Sequence, residues 1–589
     1  MRRRPIASVS GFVLTCLLGA CSAAPPEAPR LVFGGETRPV LADAYSDYLV
    51  GGFAALTNDP REAASRYSDA LSTPAPDGEV AARGVYAALL AGDVDTATDF
   101  AARAEASGET AFALQQITLA VAAIRQGKPA EAVTRLEVGP FDPFSAALAH
   151  QLRAWCRLET EGLEPALADL AQMQATDRTT RLMRNYTAAT ILLRAGARSR
   201  ALDQFEAMDA EGHDLALAAE MHARLLAGDG ARDRAAALLD GFMADVGSNP
   251  SLKTLKAEIL SGKRIDDRAP GLRRATAQAV YLPAVALSTR SDSDLPNAYF
   301  ALALALDPDF TMARALWADT LDRAGRRGEA IALLRGVPER SPYYATARGQ
   351  MAWALLREGD ERAALDTARE ALAEAPDRDL KIQLGDLLST VGRHGQAVEV
   401  FSELIAEDAR SGEADWRLLF ARGAALEVLG RWPEAELDLT RAVSMAPHAP
   451  ELLNFLGYAW VERGDRLEEG LELLQSANRL KPNTGHILDS VGWAYFKLGK
   501  IDLAIAYLER AVEAAPEIAV VNHHLGDAYW KAGRWREARF QWARALKLDP
   551  EMDDARSIRE KLTTALPGDA PPQAIAVSVP PAPNRNASP

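Results

Sequence analysis

Apolar residues recur every three or four positions along much of the chain, with polar residues between them. In residues 489–516, DSVGWAYFKLGKIDLAIAYLERAVEAAP, this spacing runs on both sides of Gly499. Such a period is typical of amphipathic α-helices. Glycine ends a helix readily because it adopts positive φ, and Pro516 prevents the second helix from continuing. The stretch therefore predicts two helices joined by a tight turn at Gly499.

The same pattern returns at a nearly constant interval. Residues 523–550, HHLGDAYWKAGRWREARFQWARALKLDP, repeat the glycines, alanines and final proline of the preceding stretch 34 residues later, and two earlier units keep the pattern, so that the final prolines step by 35, 34 and 34 residues. Small residues in both helices indicate that the two helices approach closely. The repeat-defining residues are Gly423, Ala435 and Pro447; Gly457 and Pro482; Gly492, Ala504 and Pro516; and Gly526, Ala538 and Pro550.

A turn glycine followed five residues later by an alanine traces the pattern through the rest of the chain. The pairs are Gly92/Ala97, Gly127/Ala132, Gly196/Ala201, Gly230/Ala235, Gly325/Ala330, Gly359/Ala364, Gly392/Ala397, Gly430/Ala435, Gly499/Ala504 and Gly533/Ala538. The gap after Gly127 has room for a degenerate unit around Trp155 and Gly162. The gap after Gly230 has room for further units with irregular joints near RIDDRAPGL and STRSDSDLPN. Since one helical hairpin cannot bury its own apolar side, the hairpins must stack.

Over residues 43–566 the chain resembles tetratricopeptide repeats, whose period is about 34 residues, and the resemblance is strongest after Pro308. It implies an all-α fold: a right-handed superhelical solenoid of antiparallel helix pairs, with about a dozen repeats and a concave groove lined by the first helices. We divide it into a degenerate array, 43–265, and a well-formed array, 266–566. The second array ends in a predicted capping helix with Ile558, Leu562 and Leu566 on one stripe.

The resemblance also predicts a partner-binding groove, because certain first-helix positions of this family face the concave side. Those positions are occupied by Asn454, Tyr458, His486, Asp489, Trp493, Phe496, Lys497, His523, Asp527, Trp530 and Lys531. Aromatic, amide and lysine side chains on one surface suit peptide recognition. The alternative is that Trp493 and Trp530 pack against neighbouring units. The lysine and asparagine clamp that some family members use for an acidic carboxyl terminus is not reproduced.

The start of the chain, MRRRPIASVSGFVLTCLLGAC, predicts an export signal. It has three arginines and then an apolar run too short to span a bilayer. Leu18, Gly19, Ala20 and Cys21 resemble a bacterial lipobox, which implies removal of residues 1–20 and acylation of Cys21. Ser22, where an aspartate would favour the inner membrane, implies the periplasmic side of the outer membrane, although retention in the inner membrane stays open. The alternative is an ordinary secretory signal cleaved after CSAA.

Composition adds three expectations. Residues 21–42 are predicted to be a flexible tether and the Pro/Ala-rich residues 567–589 a disordered tail. Net charge of -15 and a pI near 5.2 argue against nucleic acid as a partner. After signal removal and acylation only Cys156 would remain as a free thiol, so no intramolecular disulfide is expected, and Cys156 is predicted to be a buried small apolar residue.

No common catalytic signature is present. The chain lacks HExxH, GxxxxGK[ST], GxSxG and CxxC, and we predict a protein that is not an enzyme and binds no cofactor or metal. His523 and Asp527 share a helical face and could contact one metal ion, but two ligands do not make a site. The same holds for His486 near Asp489. Ordinary surface or groove positions are the favoured interpretation of these residues.

A closer likeness suggests a role. The lipobox, the segments 298–344 and 457–511, and the number of repeats are together similar to outer-membrane tetratricopeptide lipoproteins of proteobacteria. Some of those are adaptors that bind a periplasmic carboxyl-terminal-processing protease and deliver peptidoglycan hydrolases to it. The likeness implies a non-catalytic scaffold with protein or peptide partners and a lipid as its only membrane contact. The alternatives are an assembly factor for a pilus or secretion system and an enzyme acting on cell-wall material.

Overall fold

The computed structural model describes residues 40–72, 78–108, 113–139, 141–212, 215–288, 294–412, 414–548 and 552–564. These residues form α-helices joined by short connections, without β-strands. They divide into two compact units, which we call unit 1 (residues 40–387) and unit 2 (residues 388–564). The boundary predicted at 265/266, which rests on repeat regularity, stays a prediction. Cys21, Pro550 and Leu566, the signal, most of the tether and the tail lie outside the described residues.

Unit 1 is built mainly from consecutive helical hairpins. Six hairpins, α1/α2 to α11/α12, are followed by the single helix α13 and the hairpin α14/α15, and then by α16/α17 and α18/α19. The helices are α1 (Val40–Leu56), α2 (Pro60–Ala70), α3 (Gly78–Leu90), α4 (Val94–Ala106), α5 (Ala113–Arg125), α6 (Pro129–Glu137), α7 (Pro143–Thr160), α8 (Leu163–Gln172), α9 (Arg178–Arg194), α10 (Arg198–Ala210), α11 (Ala216–Gly228), α12 (Arg232–Val246), α13 (Pro250–Leu260), α14 (Leu272–Ser288), α15 (Leu295–Leu306), α16 (Thr311–Arg323), α17 (Arg327–Arg335), α18 (Tyr344–Arg357) and α19 (Glu361–Glu374). The division between the units falls within α20 (Arg378–Thr390).

Unit 2 continues the same architecture in its described residues. Four hairpins, α22/α23 to α28/α29, stack in order, and α30 packs on α29. The helices are α21 (His394–Ser411), α22 (Trp416–Val428), α23 (Trp432–Met445), α24 (Pro450–Arg463), α25 (Leu467–Leu480), α26 (Gly485–Lys497), α27 (Ile501–Ala514), α28 (Ala519–Lys531), α29 (Trp535–Lys547) and α30 (Met552–Thr564). Each unit is thus an all-α array of helical hairpins, and the described residues of the two units contain about a dozen helix pairs, as predicted.

The glycine–alanine pattern has the structural cause that was predicted for it. Each of its ten glycines has a φ between 71° and 89°, a region that residues with a Cβ rarely adopt. Each partner alanine is 0% exposed, because it lies where the second helix of a hairpin meets the first. The degenerate unit predicted around Trp155 is also present as α7/α8, with its turn at Gly162 (φ 98°).

Glycines within the first helices serve a different purpose. A Cβ atom on Gly492 would lie 2.6 Å from Leu508 Cγ of the paired helix, and one on Gly526 would collide with the indole of Trp542. Real Cβ atoms do not approach so closely, so these positions accept only glycine unless the helices separate. The close approach of paired helices, inferred from small residues in the sequence, is thereby confirmed.

Helices α14 and α15 follow a break in the stack. The non-helical residues 263–271 separate them from α13. The two helices pack against α3, α5, α7 and α9, the first helices of four successive hairpins, and α15 also packs against α16 of the next hairpin. The further unit expected between Gly230 and Gly325 is present as α14/α15, and the irregular joint expected near RIDDRAPGL is present as residues 263–271, whereas residues 289–293 of STRSDSDLPN lie outside the described residues. Residues 275–284 and 296–303 are buried without interruption, because these largely apolar helices are covered on all sides.

Cys156 behaves as predicted. It is 0% exposed in α7, and burial raises the pKa of its thiol to about 12. Because the thiolate is the reactive form, this cysteine is chemically inert at neutral pH. Among the described residues, no helix combines the length and the apolar character needed to cross a bilayer.

Candidate partner-binding site

The predicted groove residues lie on the first helices of three successive hairpins in unit 2. Helix α24 carries Asn454 and Tyr458; α26 carries His486, Asp489, Trp493, Phe496 and Lys497; and α28 carries His523, Asp527, Trp530 and Lys531. Helix α26 packs against both α24 and α28. The structure therefore brings these residues to one set of adjacent helices, but it exposes them to very different extents.

Trp493 joins the three helices. It is only 9% exposed, and its ring stacks on that of His524 in α28, with centroids 3.9 Å apart and planes at 15°. Its indole Nε1 donates a hydrogen bond to Glu462 Oε2 of α24 over 2.6 Å. Trp493 thus packs between successive helical hairpins, and most of its surface is unavailable to a partner.

His524 was not among the predicted site residues. Its Nδ1 lies 2.9 Å from Asp489 Oδ2, and both side chains are almost completely buried. Burial alone would lower the pKa of His524, but the charge and hydrogen bond of Asp489 raise it above its usual value. Nothing in one sequence distinguishes this histidine from its neighbour His523. Only the packing of α28 on α26 shows which of the two meets Asp489.

We expect the Asp489–His524 pair to make unit 2 more stable at mildly acidic than at alkaline pH. A raised folded-state pKa means that the contribution is complete below the unfolded value, about 6.5, and is lost as pH rises through the folded value. Asp489→Asn should cost roughly 1 to 3 kcal/mol at pH 6 and less at pH 9. Urea denaturation of unit 2 at both pH values checks this, with the exposed Asp502→Asn in α27 as control. A cost independent of pH would contradict the assignment.

Helix α28, the first helix of the final hairpin, is contacted by α30. Lys561 Nζ lies 2.7 Å from both carboxylate oxygens of Asp527 and 2.8 Å from His523 Nε2. Trp542 Nε1 donates to Asp527 Oδ1 over 2.9 Å, and Ile558 of α30 is 0% exposed. His523 and Asp527 therefore contact the final helix. The ammonium group of Lys561 therefore lies beside the Asp527 carboxylate, which was considered as a possible metal ligand. Among the described residues, no group of three or more His, Cys, Asp or Glu side chains could hold a metal ion.

The accessible part of the predicted groove is smaller than the sequence suggested. Trp530 is 40% exposed and lies beside Trp535 and Trp542, with ring centroids 6.2 and 5.4 Å away. Lys531, Lys497 and His486 are exposed. Lys497 Nζ lies 3.3 Å from Glu462 Oε1 and 5.1 Å from the centre of the Trp493 ring. These exposed aromatic and cationic residues lie on the adjacent helices α26 and α28, and we call them the α26–α28 surface: His486, Lys497, Trp530 and Lys531.

A buried amide adds a candidate anchor on α24. The Oδ1 atom of Asn454 is buried and has no hydrogen-bond partner, although the residue as a whole is half-buried. A buried acceptor without a partner is costly, and a donor from a bound peptide would relieve that cost. Tyr458, one turn further along α24, is half-buried and adds apolar area near it, and Phe496 of α26 is half-buried as well.

Stacked helical hairpins with a first-helix surface define an α-solenoid built for contact with other proteins. A family model for the tetratricopeptide repeat matches residues 382–450, 420–483 and 492–553. Residues 382–483 and 492–553 are therefore tetratricopeptide repeats, and the helical hairpins of the other described residues resemble them. Such repeats indicate a scaffold for protein–protein interaction.

Relatives share only part of the chain. A TPR repeat-containing protein of Pseudomonas aeruginosa is 30% identical over 171 residues, which are 29% of this chain and 28% of that protein. The human protein O-mannosyl-transferase TMTC1 is 25% identical over 211 residues, 35% of this chain and 23% of that protein. The chain thus spans about a quarter of the length of these curated relatives.

Solved structures resemble the chain at low sequence identity. The APC/C hetero-tetramer Cut9–Hcn1 covers 89% of this chain and 96% of its own, with 16% identity and a TM-score of 0.37. A structure of MamA AMB-1 covers 29% of this chain and 96% of its own, with 24% identity and a TM-score of 0.25. Both TM-scores are low, so we assign the fold from the helices of the chain and from the repeat match.

Proposed function

We propose that this protein is a non-catalytic adaptor, anchored through Cys21 to the periplasmic side of the outer membrane, that binds a carboxyl-terminal-processing protease and presents peptidoglycan hydrolases to it. Its tetratricopeptide repeats support the scaffold role, and the lipobox-like start of the sequence supports the location. A lipid anchor would keep both partners concentrated near the cell wall. The mannosyl-transferase name belongs to a relative that shares only 211 residues, and it suggests no catalytic site in this chain.

The observation that carries the proposal is the difference between the first-helix faces of the two units. In unit 1, α14 and α15 pack on α3, α5, α7 and α9 and so cover the first helices of four successive hairpins. In unit 2 the first helices carry the α26–α28 surface, whose aromatic ring and ammonium groups are open to solvent. We therefore assign partner binding to unit 2.

The chemistry of the α26–α28 surface favours an extended peptide with apolar and acidic side chains. Trp530 supplies a large ring that loses little conformational entropy when it is covered. Lys531, the next residue in α28, and Lys497 on the adjacent helix α26 supply point charges, in a protein whose net charge is -15. Local positive charge on an acidic molecule steers an acidic segment to this surface in particular.

Capture from envelope extracts tests the assignment. The full-length lipidated protein should retain the protease and the hydrolases at moderate salt, and Trp530→Ala with Lys531→Ala should reduce that retention about tenfold or more, as loss of an aromatic hot spot does. Phe540→Ala is the matched control, because Phe540 is 65% exposed but lies on the second helix α29. Trp493 is unsuitable for the test, since its replacement would disturb packing between helices.

The outcomes separate the candidate functions. Normal retention of partners by the double variant would remove the α26–α28 surface from consideration. Pilus or secretion-system components in place of the protease would favour the assembly-factor function. Turnover of cell-wall material by the purified protein would revive the enzymatic alternative.

A further inference from the structure

The first helix that the structure describes, α1, has an apolar face that no described residue covers. Tyr45, Leu49, Phe53 and Leu56 of α1 are between 51% and 88% exposed. At 100° per residue they fall within an arc of about 80° on the helix surface. We call them the α1 stripe. Single exposed apolar residues are ordinary, but four on one face indicate a surface for contact.

The rest of α1 is accounted for by packing and ion pairs. Ala54 and Gly51 are buried on the opposite side, where Tyr48 meets Tyr67 with ring centroids 6.3 Å apart. The two charged residues of the helix also lie outside the stripe: Asp43 and Asp47, the latter 3.2 Å from Arg66. The stripe is therefore free of charge, and its contact partner is apolar.

We propose that the α1 stripe lies on the lipid bilayer that holds the acylated Cys21, so that unit 1 touches the membrane directly through its first helix. This inference rests on the lipid anchoring proposed above. Only residues 22–39 separate Cys21 from α1, and these 18 residues reach roughly 60 Å at full extension. The stripe therefore remains within reach of the bilayer at all times, which makes membrane contact an intramolecular event.

The side chains suit the interface between headgroups and acyl chains. Tyrosine and phenylalanine are favoured there, and leucines extend the apolar area beneath them. The acidic Asp43 and Asp47 lie outside the stripe, on the side of α1 that would be turned away from the bilayer. Surface helices that bind membranes without an anchor usually need lysines and arginines, but an acylated protein does not depend on that attraction.

Fluorescence quenching in vesicles tests the proposal with the full acylated chain. The protein is placed in vesicles of phosphatidylethanolamine and phosphatidylglycerol after Phe53→Cys and labelling with an environment-sensitive dye. The control is Leu260→Cys in α13, also in unit 1 and 60% exposed. Cys156 is buried and does not compete for the dye. Lipid-borne nitroxide should quench the label at position 53 about threefold more than the label at 260, and aqueous iodide should do the reverse.

Flotation of the same vesicles tests the lipid anchor at Cys21 separately from the membrane contact of the α1 stripe. Protein that floats while the label at 53 is quenched by iodide as strongly as at 260 overturns the stripe contact and leaves the anchor intact. A label at 53 that is protected from both quenchers also overturns it, in favour of a second copy, a partner or another segment of the chain as the cover. Protein that fails to float overturns the anchoring, and the stripe contact with it.

Discussion

Replacing Asp169 by alanine should destabilise unit 1 by about 3 to 5 kcal/mol, the usual cost of breaking a buried ion pair from one side. Asp169 lies in α8 with its side chain 0% exposed. Arg153 Nε donates to Asp169 Oδ2 over 2.9 Å, and Arg157 Nη1 lies 3.0 Å from the same oxygen. His150 Nδ1 lies 2.8 Å from Asp169 Oδ1. Without the carboxylate, Arg153 would lose its anion at the α7/α8 contact, whereas Arg157 would keep Glu137 Oε1 at 2.6 Å.

The same group makes unit 1 sensitive to acid. Burial alone would raise the pKa of Asp169, but hydrogen bonds from Arg153 and His150 and the charge of Arg157 lower it to about 2. Because the folded value lies below the unfolded value of about 3.9, the stabilisation is complete above pH 4 and is lost as pH falls toward 2. That difference corresponds to roughly 2 to 3 kcal/mol.

Urea denaturation of the Asp169→Ala variant measures the loss of stability, and hydrogen exchange in α7 and α8 shows whether the loss arises there. Asp95→Ala is the matched control: Asp95 also pairs with an arginine, Arg125, at 2.6 Å, but its side chain is 82% exposed. Exposed pairs contribute little, so this variant should lose less than about 1 kcal/mol. Equal losses of stability in the two variants would contradict this prediction, because the contribution of Asp169 would then not depend on its burial.

The local rules of the fold could be predicted from the sequence, because they depend on single positions. A turn glycine needs positive φ and a packed alanine needs a small side chain, so Gly499 and Ala504 indicate a hairpin without knowledge of its neighbours. The Asp169 cluster could not be predicted in this way. His150, Arg153 and Arg157 share one helical face, yet nothing in the sequence shows that α8 brings a carboxylate to it.

The candidate site shows the same limit. Family position placed Trp493 and Asp527 on the first helices correctly, but exposure depends on how tightly successive helices pack and on which helix comes after the last repeat. His524 covers Trp493, and Lys561 of α30 binds Asp527. Trp530 escapes both contacts. Residue type and period therefore define the surface, whereas the neighbouring helices decide which part of it a partner can reach.

The hairpin α14/α15 should be a structural part of unit 1, so Phe300→Ala should cost about 3 to 5 kcal/mol. Phe300 is 0% exposed in α15, and its ring lies 6.1 Å from that of Tyr281 in α14. Removing the ring would leave a cavity beside Tyr281 in the core of unit 1. The exposed Phe53 of the same unit, measured as Phe53→Ala in the absence of lipid, is the control and should lose less than about 0.5 kcal/mol.

Hydrogen exchange distinguishes a hairpin α14/α15 that is a structural part of unit 1 from one that detaches from the remaining helices of unit 1. Cooperative loss of protection in α3, α5 and α7 together with α14 and α15, with unit 2 unchanged, is the expected result, because elements that share one core open together. Selective exposure of the faces of α3 and α5, at a cost below about 1 kcal/mol, would instead mean that the hairpin separates from an otherwise stable array. Unit 1 would then offer a second binding surface, and partner binding could no longer be assigned to unit 2 alone.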